Sequence, residues 1–244
     1  MTNIILIETS TALCSVALAQ DGVVTSYRES SAPKAHASLT AVFVQEVLQD
    51  QGITLSDCDA VCVSMGPGSY TGLRVGVSTA KGLCFGSGKP LLAVGTLDTL
   101  VAQAEDAAKY KFIIPMIDAR RMEVYSAIFA STVIPSASSA IPSEVEGSPS
   151  YTQITETAPA IIDSESFAEY LEQGPCLFIG DGAGKCADVI KHPNAYFCQC
   201  HPKASAMSRP AQAAYKEERF EDVAYFEPFY LKEFVATVSK KKLF

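Results

Sequence analysis

Residues 64–90, SMGPGSYTGLRVGVSTAKGLCFGSGKP, contain seven glycines, more than a helix or a strand ordinarily carries. A Walker phosphate loop requires Gly, four residues and then Gly-Lys-Ser/Thr, but here Lys81 is followed by glycine and leucine. A dinucleotide-binding G-x-G-x-x-G also fails, because Thr71 stands at the position of the third glycine. The glycines therefore require a structural explanation, namely a sharp bend at residues 66–69 followed by a helix.

Small residues recur at every fourth position of the helix predicted after this bend, at Gly72, Gly76, Ala80 and Cys84. This spacing places them on one face. Each helical glycine costs up to about 1 kcal/mol relative to alanine. A smooth face offsets that cost when another backbone approaches closely, so the stripe indicates close packing. Two hydroxyl residues can cap the helix, Ser69 and Thr71.

The helix predicted over residues 35–51 is apolar around much more than one narrow stripe. Its apolar residues are Leu39, Val42, Phe43, Val44, Val47 and Leu48. Because a surface helix usually keeps a polar face, we expect one side to face the core and another to face a partner protein. Burial inside its own domain is the alternative. The predicted partner interface comprises Leu39, Val42, Phe43, Gly72, Gly76 and Ala80.

Three apolar runs between residues 4 and 28, separated by turns, predict three strands that open a domain. Alternating helices and strands follow, and strands restart near residue 112. Later elements include helices over residues 97–109 and 164–173 and a strand over residues 123–130. This order predicts an α/β fold of two related α/β domains, residues 1–104 and 105–244. Residues 131–150 are rich in serine and proline and lack aromatic residues, which predicts a flexible, dispensable insertion.

Composition limits the partners that the chain can bind by itself. Hydrophobic residues make up 48% and charged residues 19% of a chain with a net charge of −8, which is typical of a globular protein. An acidic chain whose only basic run is Lys240, Lys241 and Lys242 is a poor solo binder of nucleic acid. The N-terminus lacks a signal-peptide pattern and no membrane span is expected. Eight cysteines without a secretion signal indicate reduced thiols in the cytoplasm.

Three motifs together resemble the TsaB (YeaZ) family: ILIETSTALCSVAL, MGPGSYTGLRVGVSTAKGL and IDARRMEVYSAIF. The resemblance runs from residue 4 to about residue 130 and continues more weakly to the end. It implies an actin/sugar-kinase-like (ASKHA) fold. It also implies a non-catalytic subunit for threonylcarbamoyl modification of the adenosine next to the anticodon. The implied partners are the catalytic subunit TsaD, the ATPase TsaE and, through the complex, tRNA. Without TsaD, a homodimer is expected.

No metal or required cofactor is expected. The resemblance implies that the catalytic TsaD relatives carry two metal-binding histidines four residues apart, where this chain has Thr96 and Leu100. Neither side chain ligates a transition metal well. The stretch that contains Cys198, Cys200 and His201 is the alternative, but a C-x-C with an adjacent histidine strains tetrahedral zinc geometry. An ordinary strand is the preferred interpretation.

Four residues are weak candidates for nucleotide binding: Glu8, Asp118, Gly180 and Gly182. Kinase-like folds place acidic residues near phosphate and metal where Glu8 and Asp118 occur, and GDGAGK lies between a predicted strand and a helix. The preferred interpretation is a set of cleft-lining residues that no longer catalyse, with a structural turn at the glycines. The alternative function is a stand-alone small-molecule kinase or ATPase. No protease constellation is present, despite the old glycoprotease label of this superfamily.

Overall fold

Two β-sheets organise the chain in the computed structural model, which describes residues 1–132 and 151–232. The first sheet contains β1 (Asn3–Glu8), β2 (Cys14–Gln20), β3 (Val23–Ser30), β4 (Ala60–Gly66) and β5 (Leu91–Gly95). Its order is β3-β2-β1-β4-β5. β1, β2 and β3 pair antiparallel, whereas β1, β4 and β5 pair parallel. The three predicted opening strands are therefore confirmed.

Alternate residues of β1 face two different layers, as the period of a strand requires. Ile5 and Ile7 lie in the core beneath α1 (Ala35–Asp50) and α2 (Tyr70–Ser87). Ile4 and Leu6 lie in a second core on the opposite face. Burial on both faces explains why this strand is a continuous apolar run.

α2 begins and ends at residues with a clear physical role. The Ser69 hydroxyl accepts a hydrogen bond from the Gly72 amide at 3.4 Å, so Ser69 is the N-cap. Gly88 ends the helix with φ +69°, a left-handed conformation that glycine adopts without a steric penalty. The bend, the helix and one of the two predicted capping residues are thus found as expected.

The second sheet repeats the strand order of the first. Its strands are β6 (Phe112–Asp118), β7 (Glu123–Ser126), β8 (Phe129–Ser131), β9 (Tyr151–Gln153), β10 (Ala158–Ile161), β11 (Cys176–Gly180) and β12 (Ala195–Gln199). The main path is β10-β7-β6-β11-β12, again a three-stranded antiparallel part followed by two parallel strands. Two sheets of equal order confirm the predicted α/β class with related halves.

The strand predicted over residues 123–130 is two strands, and Pro115 explains the break. β7 pairs with β6 at residues 116–118, whereas β8 pairs with β6 at residues 112–113. Pro115 has no amide proton for the ladder, and its carbonyl accepts a hydrogen bond from the Ser126 hydroxyl at 2.8 Å instead. β10 was not predicted at all.

The predicted helices of the middle of the chain are shorter than expected. α3 (Thr96–Ala102) ends seven residues before the predicted boundary at residue 109, and α4 (Ala168–Leu171) is a single turn. α5 (Ala183–Ala187) follows the GDGAGK turn. Within the described residues, no helix is both long enough and apolar enough to cross a membrane.

The last described helix returns to the first sheet. α6 (Ser208–Lys216) contributes Ala211 and Ala214 to the core that contains Ile4 and Leu6. The Ala204 amide donates to the Ser15 hydroxyl at 2.9 Å.

The division at residues 104 and 105 stays a prediction. The proposed insertion, residues 131–150, lies almost wholly outside the described residues.

Candidate functional site

Glu8 ends β1 inside the protein. Its side chain is fully buried, and Oε1 accepts a hydrogen bond from the Ser10 amide at 2.7 Å. Within the described chain, Oε2 and the Ser10 hydroxyl have no hydrogen-bond partner. Burial raises the pKa of the Glu8 carboxyl above its ordinary value, because it outweighs the hydrogen bond from the Ser10 amide, which lowers the pKa. This environment favours a neutral acid over a carboxylate that holds a metal.

Asp118, at the end of β6, is engaged by its own chain. Its Oδ1 accepts from Lys185 Nζ at 2.6 Å and from the Arg120 amide at 2.7 Å. The Asp118 amide donates to Asp181 Oδ1 at 2.9 Å. Burial raises the pKa of Asp181. These contacts tie the end of β6 to the turn after β11 and to α5.

Gly180 and Gly182 are explained by close packing against β6. A Cβ at Gly180 would lie 2.2 Å from the Met116 carbonyl oxygen, and its φ of +134° disfavours other residues. A Cβ at Gly182 would lie 2.9 Å from Val124 Cγ1. A side chain at either position would therefore collide with the neighbouring strands, which explains the glycines structurally. Nucleotide binding at Glu8, Asp118, Gly180 and Gly182 stays a prediction.

Thr11, in the β1–β2 turn, joins the two halves. Its carbonyl contacts His36 Nε2 at 2.8 Å, and its hydroxyl contacts His201 Nδ1 at 3.1 Å. The same His201 nitrogen lies 3.9 Å from Asp181 Oδ2. Sequence reasoning considered His201 only as a zinc ligand, because nothing local connects it to a residue 190 positions away.

The structure shows the surroundings of Cys198 and Cys200, and of Thr96 and Leu100, which stand where metal-binding histidines were considered. Cys198 is exposed and Cys200 is partly buried, so the predicted strand is found but its thiols are less buried than expected. Thr96 is buried against Ser64, with 2.9 Å between the hydroxyls, and Leu100 lies in a core. Among the described residues, no three His, Cys, Asp or Glu side chains form a cluster that could hold a metal.

The glycine stripe of α2 packs against the β1–β2 turn of the same chain, so the predicted close packing is found within the chain rather than at a partner. A Cβ at Gly72 would lie 2.1 Å from the Thr9 carbonyl oxygen, and one at Gly76 would lie 2.2 Å from Thr9 Oγ1. Ala80 and Phe43 belong to the core under the helices. These four residues are therefore internal contacts, because the space beside each is already occupied.

A different surface of the same helices is open. Phe85 is 87% exposed and Val42 is 42% exposed. Gly82 and Gly86 face space with no atom within 4 Å of an added Cβ, and Ala41 is exposed beside Val42. We call Ala41, Val42, Gly82, Phe85 and Gly86 the α1–α2 surface. Of the six interface residues predicted, Val42 lies on this surface and Leu39 is partly buried at the core.

Comparisons with known proteins agree with this architecture. The family model described as "TsaD: tRNA N6-adenosine threonylcarbamoyltransferase" matches residues 19–240. The chain is 38% identical over 123 residues to the tRNA threonylcarbamoyladenosine biosynthesis protein TsaB of Escherichia coli K12, covering 50% of this chain and 53% of that protein. It is 33% identical over 127 residues to the Bacillus subtilis TsaB protein, covering 52% and 55%. The chain thus spans about half the length of these curated relatives.

Solved structures extend the comparison to nearly the whole chain. YeaZ from Pseudomonas aeruginosa superposes with a TM-score of 0.75 at 25% identity, covering 95% of this chain and 100% of that one. The chain therefore belongs to the tRNA N6-adenosine threonylcarbamoyltransferase family, within which it groups with the TsaB (YeaZ) proteins. The family resemblance and the predicted fold class of two related α/β halves are confirmed.

Proposed function

We propose that this chain is a non-catalytic partner subunit in threonylcarbamoyl modification of the adenosine next to the anticodon of tRNA. It pairs with the catalytic subunit TsaD, and the ATPase TsaE joins the pair. The observation that carries the proposal is the α1–α2 surface. Its five residues are uncharged and exposed on a chain of net charge −8, and the charged Lys81 borders them next to Gly82.

Within the α1–α2 surface, Gly82 and Gly86 indicate most directly that another helix packs there. Each weakens the helix by up to about 1 kcal/mol relative to alanine, yet the space in front of each is empty. Their cost is explained if a second helix packs closely there. Phe85, exposed between them, supplies the large apolar side chain that commonly anchors such a contact.

The surroundings of the four nucleotide-binding candidates support the non-catalytic part of the proposal. Glu8 is fully buried, Asp118 is paired with Lys185, and Gly180 and Gly182 are explained by close packing against β6 and β7. A phosphotransferase needs accessible carboxylates to hold its metal and position its substrate. Glu8 is covered, and the Asp118 carboxylate, although exposed, is held in an ion pair with Lys185.

Phe85→Asp tests the proposed pairing. A carboxylate at the centre of the contact would have to be desolvated without a partner, so pairing with TsaD should weaken at least a hundredfold while the melting temperature stays within about 2 °C. Isothermal titration calorimetry and size-exclusion chromatography measure the pairing. Ile161→Asp is the matched control, because Ile161 is 79% exposed on β10 of the second sheet.

If Phe85→Asp pairs with TsaD as tightly as the unsubstituted chain, the α1–α2 surface is not the contact. In the absence of TsaD, the same surface should form weak homodimers that Phe85→Asp abolishes. Full tRNA modification by TsaD, TsaE and the threonylcarbamoyl-adenylate donor without this chain would contradict the proposed function. Nucleotide turnover by the chain alone would favour the kinase or ATPase alternative.

A further inference from the structure

One edge of α2 carries an arginine held against two tyrosine rings. The Arg74 guanidinium carbon lies 4.2 Å from the centroid of the Tyr70 ring, and Arg74 Nε donates to the Tyr230 hydroxyl at 3.4 Å. The two tyrosine rings lie 4.8 Å apart. These contacts hold the guanidinium in place and leave its positive charge at the surface, where Arg74 is exposed.

Two turns further along α2, Lys81 faces the same chain segment. Its Nζ donates to the Ala224 carbonyl at 3.1 Å and to the Phe226 carbonyl at 3.0 Å. An ammonium group has three donors, so one remains for an anion. No carboxylate of the described chain lies within ion-pair distance of Lys81 or of Arg74.

The two cations open onto one depression of about 230 Å³. Its walls include Arg74, Ser78, Lys81, Phe226, Glu227 and Tyr230. A water molecule occupies about 30 Å³ in the liquid, so a phosphate group fits with water to spare. Glu227 is the single acidic residue of these walls and leaves the two cations in excess.

An exposed ring lies next in sequence to Phe226, which lines this depression. Tyr225 is 83% exposed, and its amide is tied to Asp222 Oδ1 at 3.3 Å. Single-stranded nucleic acids are bound by clustered cations for the phosphates together with exposed aromatic rings for the bases. An acidic protein side chain would need the cations but not the ring.

We infer that Arg74, Lys81 and Tyr225 form a direct contact for an unpaired stretch of tRNA. One backbone phosphate lies in the depression between the two cations, and a neighbouring base stacks on Tyr225. The inference rests on the proposed function, because it assigns the substrate tRNA to a surface of the partner subunit. It concerns a few contacts made within the complex and agrees with weak binding by the acidic chain alone.

The double variant Arg74→Gln with Lys81→Gln tests the phosphate contact. tRNA affinity of the complex with TsaD, measured by fluorescence anisotropy at 0.1 M salt, should fall about tenfold. The slope of log K against log salt should shrink by about 0.7, since one phosphate contact contributes roughly 0.7 with single strands. The control, Lys109→Gln with Lys111→Gln, removes the same charge from the second half and should change neither quantity.

Equal affinity and slope in the double variant and the control would overturn the inference. Loss of pairing with TsaD at unchanged tRNA affinity per complex would also overturn it, because the cations would then contact a protein carboxylate. Tyr225→Ala tests the stacking contact with a substitution that lies outside α2. It should lower tRNA affinity at least fivefold while pairing and melting stay unchanged. These binding measurements need no modification activity, so failure of the proposed function would be seen separately in the modification assay.

Discussion

Gly72→Ala is expected to destabilise the protein by about 2 to 3 kcal/mol, although alanine is the better helix former. The new Cβ would lie 2.1 Å from the Thr9 carbonyl oxygen, so the backbone of either α2 or the β1–β2 turn must shift. For a chain of this size, the melting temperature should fall by at least about 4 °C. Differential scanning calorimetry measures the change.

The control for Gly72→Ala lies in the same helix. Gly82→Ala adds the same methyl group where no atom lies within 4 Å, and it should raise stability by about 0.5 to 1 kcal/mol. Opposite signs would show that the stripe packs against its own chain while the α1–α2 surface is open. Equal effects of the two substitutions would refute the assignment of the stripe to an internal contact.

Glu8→Gln is expected to stabilise the protein at neutral pH and to change little near pH 4. Burial raises the pKa of Glu8 above its unfolded value, so the folded state binds a proton that the unfolded state releases. The stability contributed by this proton is present below the unfolded pKa and is lost as the pH rises through the folded pKa. Between those two values, the free energy of unfolding should fall by about 1.4 kcal/mol per pH unit.

Chemical denaturation at a series of pH values measures this slope, and glutamine should remove it. Glu29→Gln serves as a control, because the contribution of Glu29 to stability should have the opposite pH dependence. The hydrogen bond from the Tyr27 hydroxyl and then the nearby Lys203 ammonium hold the pKa of Glu29 below its ordinary value, so its contribution is present at neutral pH and is lost on acidification. A pH profile of Glu8→Gln that parallels that of the unsubstituted protein would contradict a neutral, buried Glu8.

Local patterns predicted most of the first half of the chain. β1, β2, α1 and α2 follow from apolar periodicity and from turn residues that lie next to them in sequence. β10 was not predicted, because its sequence, APAI, is short, contains proline and is largely exposed. The break between β7 and β8 was also not predicted, because it depends on Pro115 in the neighbouring strand β6. Such elements are set by their strand partners, which a sequence pattern does not show.

The site was harder to predict because its contacts join distant residues. The stripe of small residues was recognised, but its partner Thr9 lies 63 residues before Gly72, and only the fold brings them together. The wide apolar girdle of α1 suggested a partner, yet Phe43 and Val47 are buried in the core. The exposed Phe85 was not predicted, although two helical glycines next to it were a usable signal. Burial on one face of a helix depends on which elements cover it, and spacing alone does not decide this.

The return of α6 to the first sheet has a consequence for synthesis on the ribosome. The apolar face of β1 formed by Ile4 and Leu6 is synthesised long before its cover, Ala211 and Ala214. During translation this face stays without its native cover while the whole second sheet is being made. Nascent chains that pause before residue 208 should therefore recruit holdase chaperones, and fragments cut from the first half should aggregate.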